Sequence, residues 1–320
     1  MRILVLGAAG VIGSAVVRQA MRDGHETHAL VRGDATPERL APVSAEARIH
    51  RLDLRDRAGL THLVAELAPD AIVQAAFPPV WGRDPSSRER LLAEGLGLSA
   101  VLSEALRARR YVGTLVQLGS ATVYGPTHGA HDPHDRLAPN TFRGVIKAAE
   151  GLLLAQCATE IGFRLAELRV FTAYGPWEQR GRLVPSLMCA ALTASPISLT
   201  ARPHARDWIH VDDVASACLV AARSASHAHA VHNLCTGRIV DTHQLALEAE
   251  RITGCTLVRD HAYADRDAYG NENPLGVPPT DRASFDWTPR YSLTDGLAQT
   301  WEWARSAAGR RYLLAEPVNA

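Results

Sequence analysis

The chain has 320 residues, 47% of them hydrophobic and 21% charged, which is ordinary for a soluble globular protein of one large or two small domains. Basic and acidic residues number 34 each, and the resulting zero net charge argues against a protein that binds nucleic acid through bulk charge. No apolar run reaches the roughly 18 residues of a membrane span, and the chain enters a strand directly after Met1, so we expect neither a membrane segment nor a signal peptide. The five cysteines form no CxxC pair, which predicts no disulfide framework and no metal site and favours the reducing cytoplasm.

The first half of the chain alternates short, continuously apolar strands with helices. Such strands are typical of a sheet covered on both faces, so the pattern predicts an α/β fold with a doubly wound parallel sheet. The expected strands are 2–6, 27–32, 48–52, 70–75, 115–119 and 165–171, and the expected helices are 14–22, 58–67, 87–109 and 142–159.

After Gly175-Pro176 this rhythm breaks. A helix at 211–222 and a strand at 230–235 return to the first pattern, whereas the region from 241 is polar and ends in a helix near 295–308. We therefore expect a Rossmann domain at 1–175 plus 207–240, and a smaller C-terminal substrate lobe at 176–206 plus 241–320.

A GxxGxxG turn of Gly7, Gly10 and Gly13 follows the first strand and opens the first helix. The first glycine permits the tight turn, the second lets a pyrophosphate approach the helix N-terminus, and the third allows close packing of helix on strand. In this context the turn predicts a dinucleotide site.

The residue after the second strand bears on which dinucleotide binds. An acidic residue there would bind the adenosine ribose of NAD, but this chain has Arg32, which favours the 2′-phosphate of NADP, although a solvated surface arginine is the alternative. Asp53, after the third strand, is placed to accept a hydrogen bond from the adenine amine, with a helix cap as its alternative.

At this point the chain resembles the extended short-chain dehydrogenase/reductases, the NAD-dependent epimerase/dehydratase family, most of which act on nucleotide sugars. The resemblance covers nearly the whole chain. It rests on the glycine turn, Ser120 to Gly125 (SATVYG), Lys147 to Glu150, Arg169 to Pro176, Arg206 to Asp213 (RDWIHVDD), His232-Asn233-Leu234, and Trp287-Thr288-Pro289 with Gly296 and Trp301.

The resemblance implies a role for each matching position. Ser120 matches the catalytic residue that hydrogen-bonds the reacting oxygen, Lys147 the lysine that holds the nicotinamide ribose, and Arg206 the arginine that grips the substrate diphosphate, with Thr172 and Arg182 nearby. The chain has 33 arginines and a single lysine, Lys147, which favours a requirement for a compact ammonium at that position. The full set of expected cofactor-binding residues is Gly7, Gly10, Val11, Ile12, Gly13, Arg32, Asp53, Leu54, Ala75, Ala76 and Lys147.

Two positions depart from the family pattern. The family's acid/base tyrosine lies four residues before the lysine, in YxxxK, but here that position is Arg143, which cannot exchange a proton near neutrality. The family's asparagine in the preceding helix falls at Glu94. Arg143 and Lys147 place like charges on one helical face beside a cationic nicotinamide, so we expect Arg143 to be a third catalytic residue, compensated by Glu94 or by an anionic substrate group. The alternative is that Arg143 bends into solvent and the site is degenerate.

A substitute for the lost acid/base could come from the loop that holds His128, His131 and His134, although plain surface polarity also explains these residues. The HxxHxxH spacing lacks a helix that would align it, so we expect no metal.

Three functions remain open. The first is an NAD(P)-dependent epimerase, dehydratase or reductase on a nucleotide sugar or related anionic metabolite. The second is a non-redox isomerase, lyase or cyclase with Arg143 as an electrostatic clamp, and the third is a catalytically silent nucleotide-binding protein. A homodimer through the helices at 87–109 and 142–159 is possible, because apolar residues such as Val145, Ala149, Leu152 and Leu153 share one face, but packing on the sheet would explain that face as well.

Overall fold

The computed structural model describes residues 1–33, 38–78, 84–126, 129–200, 203–223, 229–263 and 274–315, so His128 lies outside the described residues. The described strands are β1 Arg2–Leu6, β2 Glu26–Val31, β3 Arg48–Arg51, β4 Ala71–Gln74, β5 Thr114–Ser120, β6 Ala130–His131, β7 Arg164–Val170, β8 Thr172–Tyr174, β9 Ile197–Thr200, β10 Ala205–His210, β11 His229–Leu234, β12 Ile239–Asp241, β13 Arg259–Tyr263 and β14 Leu275–Gly276. The described helices are α1 Val11–Arg22, α2 Arg57–Leu67, α3 Pro85–Arg90, α4 Gly97–Arg109, α5 Phe142–Ile161, α6 Leu183–Thr193, α7 Val211–Arg223, α8 Thr242–Thr253, α9 Leu293–Arg305 and α10 Ala307–Leu314.

Seven of these strands form one sheet in the order β11-β7-β5-β4-β1-β2-β3, and every neighbouring pair is parallel. Side chains alternate between the two faces of each strand. In β1, Ile3 and Val5 belong to the core under α1 and α7, whereas Leu4 and Leu6 belong to the core under α2, α4 and α5. Helices therefore cover both faces, and the expected doubly wound fold is confirmed.

The helix expected over 87–109 is present as α3 and α4, which a π-helical turn at Leu91–Leu96 joins. Arg90 and Gly97, on either side of this turn, keep right-handed helical dihedral angles, so the helix continues through it. Such turns are frequent at functional sites. Glu94 lies in this turn.

The C-terminal part has its own core. Residues from β8 and from α6, α8, α9 and α10 meet there, among them Tyr174, Leu187, Leu245, Leu297 and Tyr312. The sequence interpretation missed α8, whose start is fixed by a capping box between Asp241 and Gln244. The helix expected near 295–308 is α9, but it ends earlier than expected, because Ser306 ends α9 and caps the separate helix α10.

The buried face of α5 carries a charged pair among mostly apolar residues. Val145 and Leu152 are 44% and 67% exposed, whereas Lys147 and Glu150 face the protein interior. Packing on the sheet therefore does not explain the apolar face at Val145 and Leu152. The inward polar face meets Glu167 of β7, whose carboxylate lies against Gly151.

Within the described residues, no helix is long and apolar enough to cross a membrane.

Candidate functional site

The glycine turn lies between the ends of β1 and β4. Gly7 has a φ of +74°, and a Cβ there would lie 2.6 Å from the Ala76 Cα, so only glycine fits. Gly10 donates its N–H to the Gly7 carbonyl at 3.0 Å, and a Cβ at Gly13 would collide with that same carbonyl. No side chain of the described residues caps α1 at Gly10, and its first turn carries no acidic residue. The positive end of α1 is therefore suited to a pyrophosphate, and the residues fit a dinucleotide.

The remaining cofactor candidates surround this turn. Val11 and Ile12 begin α1, Ala75 and Ala76 follow β4, and all four are half-buried. They are small or apolar groups at the carboxyl ends of the central strands, which is where ligands bind in open α/β sheets.

The candidates for the adenosine end follow β2 and β3. Arg32 is exposed, and Leu54 and Asp53 are half-buried. Asp53 accepts hydrogen bonds from the Arg55 backbone N–H at 2.9 Å and from Arg55 Nε at 3.0 Å, and these bonds lower the pKa of Asp53 to about 2. Asp53 is thus an anionic acceptor suited to an adenine amine. The sequence interpretation missed Arg55, although its i, i+2 spacing from Asp53 was a signal.

Ser120 ends β5, and Lys147 of α5 is bonded to the backbone of the same strand. Lys147 Nζ donates to the Leu118 carbonyl at 3.0 Å, which ties α5 to the strand that ends in Ser120. Ser120 Oγ accepts hydrogen bonds from Thr122 Oγ1 at 2.9 Å and from the Thr122 backbone N–H at 3.3 Å. The hydroxyl that would touch the reacting oxygen is therefore polarised by its neighbour.

Arg143 lies one helical turn before Lys147 and packs against an aromatic ring. Its Cζ is 4.3 Å from the centre of the Phe77 ring, and Lys147 Nζ is 3.9 Å from that centre. Arg143 also donates from Nη1 to the Pro78 carbonyl at 3.3 Å. The guanidinium thus lies at the end of β4, beside the cofactor candidates, rather than extending into solvent. The sequence interpretation missed Phe77, whose ring stabilises both cations.

Glu150 is the carboxylate that pairs with Lys147. Its Oε2 is 3.0 Å from Lys147 Nζ, and its Oε1 accepts a hydrogen bond from Ser99 of α4 at 2.9 Å. Burial lowers the pKa of Lys147, and the Arg143 charge adds to this effect while Glu150 opposes it. Glu94, the expected partner of Arg143, makes ion pairs with Arg32 and Arg90.

Tyr124 and His131 take structural positions. The Tyr124 hydroxyl donates to Asn233 Oδ1 at 2.6 Å and accepts from Arg169, and burial raises the pKa of Tyr124 to about 12. The buried His131 ring stacks on Tyr124 with 4.5 Å between the ring centres, and His134 is exposed. Among the described residues, no group of three His, Cys, Asp or Glu side chains could hold a metal ion.

The substrate candidates lie on adjoining elements. Thr172 of β8 pairs in register with Trp208 of β10, and Arg206 is two residues before Trp208. Arg206 is 7% exposed, and its Nη1 donates to the Ala205 carbonyl at 2.8 Å. Arg182 directly precedes α6 and makes a 2.8 Å ion pair with Glu178. The sequence interpretation missed Glu178. Burial raises the pKa of Glu178 to about 7.

Known proteins share this fold and these motifs. The model of the NAD dependent epimerase/dehydratase family matches residues 3–235. The dTDP-glucose 4,6-dehydratase of Streptomyces niveus is 28% identical over 320 residues, covering 95% of this chain and 93% of the relative. The GDP-6-deoxy-D-mannose reductase of Pseudomonas aeruginosa is 32% identical over 252 residues, covering 74% and 75% of the two chains.

Two solved structures extend the comparison. The UDP-glucose 4-epimerase of Thermus thermophilus, in complex with NAD, superposes with a TM-score of 0.85 at 24% identity, covering 96% of this chain and all of the other (100%). MoeE5, in complex with UDP-glucuronic acid and NAD, gives 0.82 at 25% identity, with 95% and 99% coverage. These relatives support the epimerase/dehydratase interpretation and lend no support to the non-redox or silent alternatives. The chain therefore belongs to the NAD-dependent epimerase/dehydratase family and is an NAD(P)-binding enzyme of that family.

Proposed function

We propose that this enzyme acts in the cytoplasm on a nucleotide sugar or a related anionic metabolite, as an epimerase, dehydratase or reductase with a non-standard acid/base. The observation that carries the proposal is the hydrogen bond from Lys147 to Leu118 of β5, the strand that ends in Ser120, in a chain whose relatives act on nucleotide sugars. The substrate lies between the Rossmann domain (1–175 plus 207–240) and the substrate lobe (176–206 plus 241–320). Arg206, Arg182 and Thr172 bind its anionic part.

The residues of the site divide the chemistry among them. The bound nicotinamide supplies the hydride acceptor and donor. Lys147 binds the nicotinamide ribose, and the Ser120 hydroxyl donates a hydrogen bond to the reacting oxygen. Arg143 cannot exchange a proton near neutrality, so it stabilises negative charge on that oxygen or on a substrate carboxylate.

For the cofactor we propose NADP in preference to NAD. Arg32 stands where an acidic residue would select NAD, and its planar guanidinium suits a phosphate. Asp53 and Leu54 bind the adenine ring.

The test of function is the absorbance of the nicotinamide during turnover. The purified chain with NAD or NADP should convert at least one of UDP-glucose, UDP-glucuronic acid and dTDP-glucose with a transient or net change in this absorbance. Arg143→Ala should lower kcat by about 100-fold, since it removes a preorganised donor. Arg143→Tyr should retain more hydride transfer than Arg143→Ala, because it restores a phenol one turn from Lys147.

The matched control is Arg136→Ala, which removes an exposed arginine from the loop before α5 and should leave kcat unchanged. Product formation without any nicotinamide signal, or an Arg143→Ala variant as fast as wild type, would contradict the proposed mechanism.

We further propose a homodimer through the outer faces of the π-helical turn, α4 and α5. Leu92, Val145 and Leu152 leave large apolar side chains exposed on these adjacent elements, and burial in a second copy would stabilise them. Sedimentation should show a dimer for wild type and a monomer for Leu152→Arg. Val112→Arg, which changes an 80% exposed residue outside these helices, should remain dimeric. A monomeric wild type would contradict this proposal.

A further inference from the structure

An ion pair reaches across the turn that is expected to hold the dinucleotide. Arg32 follows β2, and Glu94 belongs to the helical segment that follows β4. Their closest atoms, Arg32 Nη1 and Glu94 Oε2, are 4.0 Å apart. In the sheet β1 lies between β2 and β4, and β1 carries the glycine turn. The ion pair therefore joins the two sides of the groove at the carboxyl end of β1.

The carboxylate is the better fixed of the two partners. Arg90, one turn earlier, places its Nε 3.5 Å from Glu94 Oε1. The next residue, Gly95, packs so closely that a Cβ there would lie 2.9 Å from the Ile146 side chain and 3.2 Å from the Phe77 ring. The Glu94 side chain is 23% exposed and that of Arg32 is 55% exposed. The backbone of the π-helical turn thus holds Glu94 over the groove, and Arg32 reaches to it.

Arg32 lies between two carboxylates. Besides Glu94, it is close enough to Asp53 for its charge to contribute to the lowered pKa of that carboxyl. Asp53 is already engaged by Arg55 in a bidentate ion pair. Glu94 is therefore the carboxylate that contends with an incoming phosphate for the Arg32 guanidinium.

NAD and NADP differ only in the group on the adenosine ribose, which is the part of the cofactor expected near Arg32. The ribose of NADP carries a phosphate that Arg32 can bind, whereas the ribose of NAD presents a neutral hydroxyl. To bind Arg32, the phosphate of NADP must displace the Glu94 carboxylate and then remain close to that negative charge. The neutral hydroxyl of NAD neither displaces Glu94 nor is repelled by it.

We propose that Glu94 is a specificity-determining residue that weakens NADP binding relative to NAD by competing for Arg32. The proposal rests on the proposed function, because it places a nicotinamide dinucleotide at the glycine turn. An exposed ion pair changes an equilibrium constant by at most about fivefold. Glu94 thus moderates the preference that Arg32 creates and does not abolish it.

The experiment is a double-mutant cycle on cofactor affinity. Calorimetric titration of the whole chain with NAD and with NADP gives both Kd values for wild type, Glu94→Gln, Arg32→Ala and the double variant. Glu94→Gln should tighten NADP about fivefold and NAD less than twofold. In the Arg32→Ala background, the same substitution should leave the ratio of the two Kd values unchanged.

Glu104→Gln is the matched control, because Glu104 is an ion-paired glutamate of α4, and both Kd values should stay at the wild-type level. If Glu94→Gln changed both Kd values equally, or changed their ratio also in the Arg32→Ala background, the role assigned to Glu94 would be wrong. The proposed function would not be affected by either result. Failure of wild type to bind either dinucleotide would overturn the proposed function and this proposal with it.

Discussion

Glu150→Gln is expected to lower the free energy of unfolding by about 3–5 kcal/mol, because it removes the carboxylate that pairs with the buried Lys147 ammonium. Glu150 and Lys147 are 1% and 7% exposed, and the glutamine can still accept the hydrogen bond from Ser99. The loss of stability in Glu150→Gln therefore comes from the missing charge and not from a change in side-chain shape. Denaturant unfolding followed by circular dichroism measures it.

Two further variants separate this effect from general damage to α5. Lys147→Met combined with Glu150→Gln removes both charges and should recover most of the lost stability. Glu160 of α5 makes an exposed ion pair with Arg107 of α4, and Glu160→Gln should lower the free energy of unfolding by less than about 1 kcal/mol. A Glu150→Gln variant as stable as wild type, or a double variant no better than the single one, would contradict the analysis.

The deficit of Glu150→Gln should also depend on pH. Burial already lowers the pKa of Lys147, and loss of Glu150 lowers it further. A base whose pKa is lower in the folded state binds fewer protons there than in the unfolded state, so stability rises with pH. The variant should therefore recover stability as the pH rises above the folded pKa of Lys147.

Arg206→Ala is expected to weaken binding of the nucleotide sugar by about 10- to 100-fold, because a charged hydrogen bond to phosphate contributes about 1.5–3 kcal/mol. Arg206→Lys should fall between this variant and wild type, since it keeps the charge but loses the planar fork. Substrate affinity by calorimetry measures the effect.

The control variant is Arg238→Ala, at an exposed arginine close to β12. Because Arg206 is buried, the dinucleotide affinity of Arg206→Ala is measured as well and should stay at the wild-type value. Unchanged substrate affinity in Arg206→Ala would show that this arginine does not bind the ligand.

Local signals sufficed for the sheet and the glycine turn. The central strands β1 and β4 are short apolar runs, and the covering of the sheet on both faces follows from that composition. The spacing of Gly7, Gly10 and Gly13 likewise needs no information from distant residues, since the turn is formed within one segment. The missing tyrosine at Arg143 is also visible directly in the sequence.

Contacts between distant segments could not be predicted in the same way. The Glu150 carboxylate, which neutralises the charge of Lys147, accepts a hydrogen bond from Ser99 of another helix. The Phe77 ring, which follows β4, contacts both Arg143 and Lys147. The π-helical turn around Glu94 has the composition of an ordinary helix, so its effect on side-chain direction emerges only in three dimensions. The sequence of α5 likewise does not show that Lys147 and Glu150 lie on the buried face of the helix, among mostly apolar residues.

The burial of the only lysine restricts amine chemistry on this protein. Reagents that acylate amine side chains have one target in this sequence, Lys147, since the 33 arginines do not react. In the folded chain the Lys147 side chain is held between Leu118, Glu150 and the Phe77 ring. Acylation of Lys147 therefore competes with these contacts, and its rate reports how often the Lys147 amine leaves them, without any engineered label.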